Sequence, residues 1–405
     1  MNIDKIRNDF PIFKTTGRAY LDSAATSQKP ECVIKAEESF YKESNANTLR
    51  GFYPLSVKAT EIYEDARKTV ASFIGTDKSE EIIFTRNATE SLNLIAYSYG
   101  MTNINEGDEI VVSIAEHHSN ILPWQMIAQS KGAVLKYLEC KQDGSFSDED
   151  IEKAISEKTK LVAFTHVSNV LGRINPIEKV ISLVHKAGAV AVIDASQSIQ
   201  HTKIDVKKTN VDFLVFSGHK MLGPMGIGVL YGKKEILDKM PPFLTGGEMI
   251  ESVRRDSATY AKLPHKFEAG TVNAAGAAGL AAAIGYLEET GLDKIHARDR
   301  ELTQRAIEGL KKIKHVHVLG SDDYREHNGI ISFTVDDVHP HDVSEVLSAD
   351  GIDVRAGHHC AQPLLEHLKV RNATRASIMF YNTEDEIDRF VSSVANVRVR
   401  MGFAD

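Results

Sequence analysis

The chain is poor in cysteine and contains no long apolar run. Only three of its 405 residues are cysteines, Cys32, Cys140 and Cys360, and these are too few for a disulfide framework, which indicates a reducing compartment. No stretch approaches the roughly 18 uninterrupted apolar residues of a membrane-spanning helix. The polar start, MNIDKIRNDFPIF, lacks the apolar core of a signal peptide. We therefore expect a cytoplasmic protein that does not enter membranes.

Basic residues are also too few to dominate the surface. The net charge is −8, and no basic stretch offsets it, which argues against nucleic acid as the main partner. With 42% hydrophobic and 26% charged residues, the composition is that of an ordinary globular protein. A chain of 405 residues is long enough for two or three domains.

Strand and helix patterns alternate from about residue 57 to residue 220. The runs LVAFT, AVAVID and FLVF are typical of strands buried on both faces of a largely parallel sheet. This alternation predicts a doubly wound α/β domain, whose ligands bind beyond the carboxyl ends of its strands. After the Ala- and Gly-rich helix around 274–290, the pattern changes to that of a smaller α+β domain. We expect an N-terminal segment (1–20) packed on the small domain, a large domain (21–290) and a small C-terminal domain (291–405).

Two motifs place ionisable residues at the ends of apolar strands. Asp194 ends the strand in AVIDASQS, and Lys220 follows the strand in SGHKMLGPMGIG. A carboxylate there needs a cation or a hydrogen-bond donor, and a lysine confined with little water has a lowered pKa and becomes a usable nucleophile or base. The alternatives are a helix-capping role for Asp194 and a solvated loop position for Lys220.

Two further motifs fall at the same predicted edge of the sheet. RNATESLN contains Asn87, Thr89 and Ser91 at a helix start, where N–H groups and hydroxyls suit a phosphate, although such residues are also ordinary caps. In AEHHSN, the ring of His117 could stack on an aromatic ligand. An aspartate for a pyridinium, a reactive lysine, a phosphate site and a stacking ring are together the needs of pyridoxal 5′-phosphate.

Cys360 lies in RAGHHCAQP, a setting with three possible interpretations. It could ligate a metal, act as a nucleophile, or be a small half-buried residue. No second cysteine lies near it, which weakens the interpretation as a zinc site. Gly357, His358 and His359 predict an exposed, flexible loop, and a thiolate in such a place is reactive.

The sequence resembles class V, fold-type I pyridoxal-phosphate enzymes over essentially its whole length. The resemblance rests on motifs in a fixed order: TRNATESLN, EHHSNILPWQ, HVSNVLG, IDASQS, SGHKMLGPMGIG, EAGTVN and RAGHHCAQP. It is closest to the SufS-type (group II) cysteine desulfurases, whose active cysteine has an R-x-G-H-H-C-A context. One departure is Leu49 before Arg50, where many relatives have histidine.

The resemblance implies a role for each matched residue. Lys220 binds pyridoxal 5′-phosphate covalently, Asp194 pairs with its pyridine nitrogen, and His117 stacks on the ring and assists proton transfer. Further cofactor contacts are implied for Gln197, for the phosphate-binding Thr89, Ser217 and His219, and for Thr271, which reaches the phosphate of a partner subunit. Asn169 and Arg375 hold the substrate carboxylate, and Arg355 shapes the entrance.

The implied activity is that of a cysteine desulfurase. L-cysteine becomes L-alanine, Cys360 keeps the sulfur as a persulfide, and an acceptor protein takes the sulfur for iron–sulfur cluster assembly. The acceptor is a zinc-bearing SufU-like protein or a SufE-like one, and His341 in VHPHD resembles the position that offers a histidine to the acceptor's zinc. A homodimer is implied, and no metal is expected on this chain. The alternatives are a selenocysteine lyase, an aminotransferase and a catalytically silent cofactor-binding scaffold.

Overall fold

A computed structural model describes residues 1–404 of the chain. Its strands, in chain order, are β1 (Ala19–Tyr20), β2 (Ile82–Thr85), β3 (Glu109–Ser113), β4 (Val134–Leu138), β5 (Thr159–Thr165), β6 (Val190–Asp194), β7 (Phe213–Ser217), β8 (Gly228–Gly232), β9 (Ile250–Val253), β10 (Ala258–Tyr260), β11 (Val316–Val318), β12 (Ile330–Val335), β13 (Ile352–Asp353), β14 (Arg355–Gly357) and β15 (Ala373–Ser377).

Helices separate most of these strands, and a π-helical stretch (Ile95–Gly100) follows α5. The helices are α1 (Ile3–Asp9), α2 (Ile12–Thr16), α3 (Glu31–Glu43), α4 (Pro54–Phe73), α5 (Ala88–Leu94), α6 (Met101–Asn103), α7 (Leu122–Lys131), α8 (Asp148–Ala154), α9 (Ile177–Lys186), α10 (Val206–Thr209), α11 (Lys234–Leu237), α12 (Ala274–Thr290), α13 (Leu292–Leu310), α14 (Pro340–Ala349), α15 (Gln362–His367) and α16 (Glu384–Arg400).

Seven strands form the large central sheet in the order β2-β8-β7-β6-β5-β3-β4. Neighbouring strands from β4 across to β7 are parallel, whereas β8 runs antiparallel to both β7 and β2. The central strands are buried along nearly their whole length because helices cover both faces of a doubly wound sheet. The carboxyl ends of β3, β5, β6 and β7 therefore lie side by side at one edge.

A second sheet of four antiparallel strands, β11-β12-β15-β14, lies in the C-terminal part of the chain. In its last pair Arg355 lies opposite Arg375. The N-terminal strand β1 pairs in parallel with β13, and Arg7 on α1 forms an ion pair with Glu386 on α16. The first twenty residues are thus bonded to the C-terminal elements.

Local sequence explains where several helices begin and which face they bury. On α9 the buried residues are Ile177, Val180, Ile181 and Val184, which is the spacing of one apolar helical face. Helix α16 begins with a capping box in which Thr383 and Glu386 bond each other's backbone N–H groups. No helix among residues 1–404 is long and apolar enough to cross a membrane.

Candidate active site

The candidate site lies at the sheet edge where β3, β5, β6 and β7 end. A cavity of about 190 Å³ opens there. Ten of the thirteen predicted site residues line it: Thr89, His117, Asn169, Asp194, Gln197, Ser217, His219, Lys220, Arg355 and Arg375. Because adjacent parallel strands end at the same edge, side chains more than a hundred residues apart in sequence converge on this cavity.

Asp194 is the last residue of β6 and is only 6% exposed. One carboxylate oxygen accepts a hydrogen bond of 2.9 Å from the backbone N–H of Ser196. Gln197, one turn further on, is also buried and donates from its Nε2 to the carbonyl of Ala24 at 2.9 Å. A buried carboxylate held in this way suits a cationic ring nitrogen as its partner.

Lys220 belongs to the short turn that follows β7. Burial lowers the pKa of its amine below the ordinary value, and the nearby Arg375 and Arg355 lower it further, whereas Asp194 acts in the opposite direction. No acceptor among residues 1–404 binds its Nζ within hydrogen-bond distance. A larger share of this lysine is therefore the neutral, nucleophilic amine than in an exposed lysine.

Hydroxyl and amide groups gather at the start of α5, beside the end of β7. The buried Ser217 hydroxyl accepts from the N–H of Ala88 at 2.9 Å, and Asn87 caps the helix through the N–H of Glu90. The exposed Thr89 hydroxyl lies 2.7 Å from that of Ser119. His219 completes the group, and burial lowers the pKa of its ring to about 4. These donors suit a phosphate.

His117 follows β3 and is half-buried at the wall of the cavity. Its Nδ1 lies 3.0 Å from the Ser119 hydroxyl and accepts the Ser119 N–H at 3.1 Å. Burial, aided by the nearby Lys220, lowers the pKa of the ring to about 3. The imidazole is therefore neutral at pH 7, the form that stacks on a cationic ring without repulsion.

Arg375, on β15, is the buried cation of the site. It is 1% exposed, and it donates to the carbonyl of Asn169 at 2.9 Å and to Asp22 at 3.1 Å. Its Nε is buried without a partner, as is Oδ1 of Asn169. Buried polar atoms are rarely left unpaired in native proteins, so these two atoms indicate where a polar ligand binds.

Cys360 is half-buried next to the cavity. Its Sγ lies 3.9 Å from a guanidinium nitrogen of Arg355. Two backbone carbonyls of the loop are hydrogen-bonded to the rest of the protein. The carbonyl of Cys360 accepts the N–H of His118 at 2.7 Å, and the carbonyl of His359 accepts from the Asn169 side chain at 2.8 Å.

The expectation of an exposed loop around Cys360 is correct for His358 and wrong for His359. His358 is exposed, but His359 is only 3% exposed and its Nε2 bonds the carbonyl of Ala373 at 3.0 Å. Burial lowers the pKa of this ring to about 3. His359 and Cys360 both have φ near +55°, a left-handed conformation that is costly for residues other than glycine and therefore needs such anchoring.

Two predicted site residues lie away from the cavity. Thr271 is exposed and lines a separate cavity of about 430 Å³ together with Gly226 and Asn273. His341 is exposed in the first turn of α14, with its ring centroid 4.9 Å from that of His339. Neither residue lines the cavity at the sheet edge. No cluster of metal-binding side chains is found among residues 1–404.

Several residues that were not predicted bond directly to predicted site residues. Asp22 pairs with Arg375, Ser119 joins Thr89 to His117, and Lys29 bonds the backbone beside Lys220. Ser119 lies in the motif EHHSN, two residues after His117, and could have been predicted as a site residue from that position. Asp22 and Lys29 lie in LDSAATSQKP, a stretch without the strand-end position that marked the other residues.

The residues around the cavity fit pyridoxal 5′-phosphate. The cavity offers a buried carboxylate (Asp194), a desolvated amine (Lys220), a flat neutral ring (His117) and a group of hydroxyl and N–H donors at α5. These are the separate partners that the pyridine nitrogen, aldehyde, ring face and phosphate of that cofactor require.

Comparison with known proteins places the chain in a family. Residues 19–390 match the aminotransferase class-V family. Over 99% of both chains, the sequence is 49% identical to a probable cysteine desulfurase of Halalkalibacterium halodurans. It is 48% identical to a probable cysteine desulfurase of Staphylococcus aureus, over 98% of this chain and 97% of that one.

Solved structures lead to the same group. A cysteine desulfurase of Thermococcus onnurineus superposes with a TM-score of 0.93 at 42% identity, over 96% of each chain. The cysteine desulfurase CsdA of Escherichia coli gives 0.91 at 37% identity, over 99% of each chain. The chain therefore belongs to the aminotransferase class-V family, and the relatives named here are cysteine desulfurases. The predicted fold class and family are confirmed.

Proposed function

We propose that this protein is a pyridoxal 5′-phosphate-dependent cysteine desulfurase that converts L-cysteine to L-alanine and keeps the sulfur as a persulfide on Cys360. Membership of the family and full-length similarity to cysteine desulfurases support the activity and the cofactor. One observation carries the assignment of residues: Lys220, Asp194 and Arg375 line one cavity, and Cys360 adjoins it through Arg355.

The residues of the chain divide the task between binding and proton transfer. Arg375 binds the substrate carboxylate through its Nε, which has no protein partner. Asn169 lines the same cavity, but its unpartnered Oδ1 can only accept a hydrogen bond, so it would face a donor of the substrate. Lys220 would hold the cofactor and, as an amine whose pKa burial lowers, would take the proton from the substrate Cα. When bound, the cofactor supplies the electron sink for this step, and the carboxylate of Asp194 keeps the ring nitrogen protonated. His117, which lines the cavity, would stack on the cofactor ring and would accept or return a proton at Nε2, since its Nδ1 accepts the Ser119 N–H.

The sulfur then moves to Cys360. The thiolate attacks the substrate Sγ, a sulfur–sulfur bond forms, and the bond between Sγ and Cβ breaks, with its electron pair remaining on the carbon skeleton. Protonation of that skeleton gives L-alanine, so L-cysteine and the Cys360 thiol become L-alanine and the Cys360 persulfide. The guanidinium of Arg355 lies 3.9 Å from the Cys360 Sγ that makes this attack.

The test compares three variants supplied with L-cysteine and a reductant. We expect Lys220→Ala and Cys360→Ala to lose at least 100-fold in alanine and sulfide formation, whereas Cys32→Ala, an exposed cysteine outside the site, should keep wild-type rates. Only Lys220→Ala should lose the visible absorbance of the lysine-bound cofactor. Full activity of Cys360→Ala would refute the desulfurase assignment. Equal rates on selenocysteine and cysteine would favour the alternative selenocysteine lyase.

We further propose that an acceptor protein collects the persulfide for iron–sulfur cluster assembly, and that a zinc-bearing SufU-like acceptor uses His341. The exposure of this ring at the first turn of α14 supports the idea. Replacement of His341 by Gln should weaken activation by a zinc acceptor at least tenfold and leave turnover without acceptor unchanged. His317→Gln, another exposed histidine, is the control, and a SufE-like acceptor would be indifferent to both.

We propose a cytoplasmic homodimer whose interface includes the segment before α4. Phe52 is 99% exposed, and Tyr53 beside it is 53% exposed. An ion pair of 2.8 Å between Arg50 and Glu248 links this segment to the one carrying the exposed Val253. An apolar surface of this kind is typical of an association site, and the exposed Thr271 would reach the partner's phosphate site across it.

A further inference from the structure

The backbone carbonyl of His219 receives four hydrogen bonds from the segment that precedes α3. The donors are the N–H of Ser27 at 3.0 Å, its hydroxyl at 3.1 Å, the Thr26 hydroxyl at 3.1 Å and Nζ of Lys29 at 2.8 Å. A carbonyl oxygen has two lone pairs, so four donors are more than a loop carbonyl usually accepts. It belongs to the peptide unit that joins His219 to Lys220.

The same segment also holds the chain on the other side of Lys220. The hydroxyl of Ser27 accepts a hydrogen bond of 2.8 Å from the N–H of Leu222. The backbone is therefore fixed immediately before the lysine and two residues after it. The Lys220 side chain, by contrast, has no hydrogen-bond acceptor of its own within residues 1–404, and it is free to move while its backbone stays in place.

Lys29 is the one charged member of this group, and it has no role in the mechanism described above. Its half-buried side chain directs Nζ to two carbonyls, those of His219 and Ser27, the latter at 2.5 Å. Burial lowers the pKa of the amine to about 7, and the nearby Glu37 opposes this shift. Both the protonated and the neutral amine carry N–H donors, so the contact to His219 persists in either state.

We propose that Lys29 is a positioning residue for Lys220: its amine fixes the peptide unit between His219 and Lys220, so that the reactive lysine returns to the same place after each proton transfer. This inference rests on the proposed function for its catalytic consequence. The backbone contact itself is independent of the reaction, because it involves only residues of this chain.

The experiment compares Lys29→Met, which keeps the length and apolar stem of the side chain, with Lys29→Arg, which keeps a donor. The control is Lys35→Met, an exposed lysine on α3 that pairs only with Glu31. Hydrogen exchange of the backbone amides from Met221 to Gly223 is measured in the cofactor-loaded protein, together with kcat and KM for L-cysteine. We expect Lys29→Met to raise the exchange rates about tenfold and to lower kcat about tenfold, with KM within twofold of wild type.

Partial restoration by Lys29→Arg, with Lys35→Met behaving as wild type, supports the proposal. Exchange rates in Lys29→Met that equal those of wild type would overturn it, as would a uniform rise across the whole protein accompanied by a lower Tm, since that pattern denotes a general loss of stability. If the wild-type protein forms no alanine from L-cysteine, the proposed function is wrong. In that case the amide exchange rates of Lys29→Met and wild type still test whether Lys29 positions the backbone at Lys220.

Discussion

Among single residues, Arg375 shows most directly how the fold prepares a ligand site. Two of its nitrogens are bonded to Asn169 and Asp22, while its buried Nε has no partner. Burial lowers the pKa of the guanidinium, and Asp22 counteracts that effect. A buried cation with unused donors is costly to fold, and a bound carboxylate compensates for that cost.

We expect Arg375→Lys to raise KM for L-cysteine about 30- to 100-fold while kcat changes less, because an ammonium cannot reproduce the planar fork of a guanidinium. Steady-state kinetics with L-cysteine measure both constants. Arg371→Lys, at an exposed position in the same segment, is the matched control. A variant with unchanged KM would show that the substrate carboxylate binds elsewhere.

The residues predicted from sequence share a recognisable position, whereas the missed ones do not. Asp194 and Lys220 stand directly after continuous apolar strands, and topology alone brings such residues to one edge. Asp22 bonds Arg375, which lies 353 residues away in sequence, and no local sequence pattern predicts a contact between such distant residues. The burial of His359 was missed for the same reason, since its partner Ala373 lies on a neighbouring strand.

At the scale of secondary structure, elements with an uninterrupted pattern were predictable, such as the continuous apolar strands β5, β6 and β7. The helix predicted around 274–290 coincides with α12. Strand β8 and the hairpin of β9 and β10 have no counterpart in the prediction. Gly228 and Gly232 begin and end β8, and these residues hide its apolar pattern.

Glu268 joins helix α4 and strand β2 to its own loop through one carboxylate. Its two oxygens accept from Arg67 on α4 at 2.6 and 2.8 Å, from the hydroxyl of Tyr63 at 2.8 Å and from the N–H of Phe84 on β2 at 2.7 Å. The Arg67 and Glu268 side chains are 0% and 2% exposed. This network fixes the loop that leads to Thr271 and α12.

We expect Glu268→Gln to lower the free energy of unfolding by about 3 kcal/mol, because it leaves the buried Arg67 charge without its main partner. Tyr63→Phe removes one hydrogen bond from the same carboxylate and should cost about 1 kcal/mol. Urea unfolding measures both changes, with the exposed Glu288→Gln as control. A loss in Glu268→Gln no larger than in the control would mean that the network contributes nothing to stability.

At the scale of the whole molecule, the exposed aromatic residues Phe52 and Tyr53 before α4 belong to the proposed dimer interface. We expect Phe52→Glu to raise the dimer dissociation constant at least 100-fold, because it places a charge where the proposed interface is apolar. Sedimentation velocity over a dilution series measures the constant. The control is Tyr41→Glu, at another exposed aromatic residue (62% exposed) outside the segment before α4. A wild-type protein that stays monomeric at micromolar concentration would contradict the proposed dimer.

Acid sensitivity of the fold follows from histidines that are buried in the neutral form. His166 is 8% exposed, has no hydrogen-bond partner at Nδ1, and burial lowers the pKa of its ring to about 4. In the unfolded chain the same ring has a pKa near 6.5. Between these values the unfolded state binds more protons, so the stability associated with this group is complete above about pH 6.5 and is lost as the pH falls toward 4.

Other buried groups also make the stability depend on pH, and some of them stabilise the fold as the pH falls. Burial raises the pKa of Glu116 to about 8, so this carboxyl favours folding increasingly as the pH falls from 8 toward its unfolded value. The wild-type curve is the sum of such effects. The contribution of His166 is therefore obtained by subtracting the free energy of unfolding of His166→Gln from that of wild type. Both proteins contain Glu116, so its contribution cancels.

We expect this difference in unfolding free energy to change by about 1 kcal/mol between pH 7 and pH 5.5, with wild type losing more stability than His166→Gln. The reason is that the His166 ring, whose pKa in the unfolded chain is near 6.5, must stay unprotonated in the folded protein. Urea unfolding of the cofactor-free protein at the two pH values measures it. The exposed His358→Gln should show no such change. If wild type and His166→Gln lose the same stability on acidification, the His166 ring is protonated in the folded protein, and its buried position must then include a partner that accepts the charge.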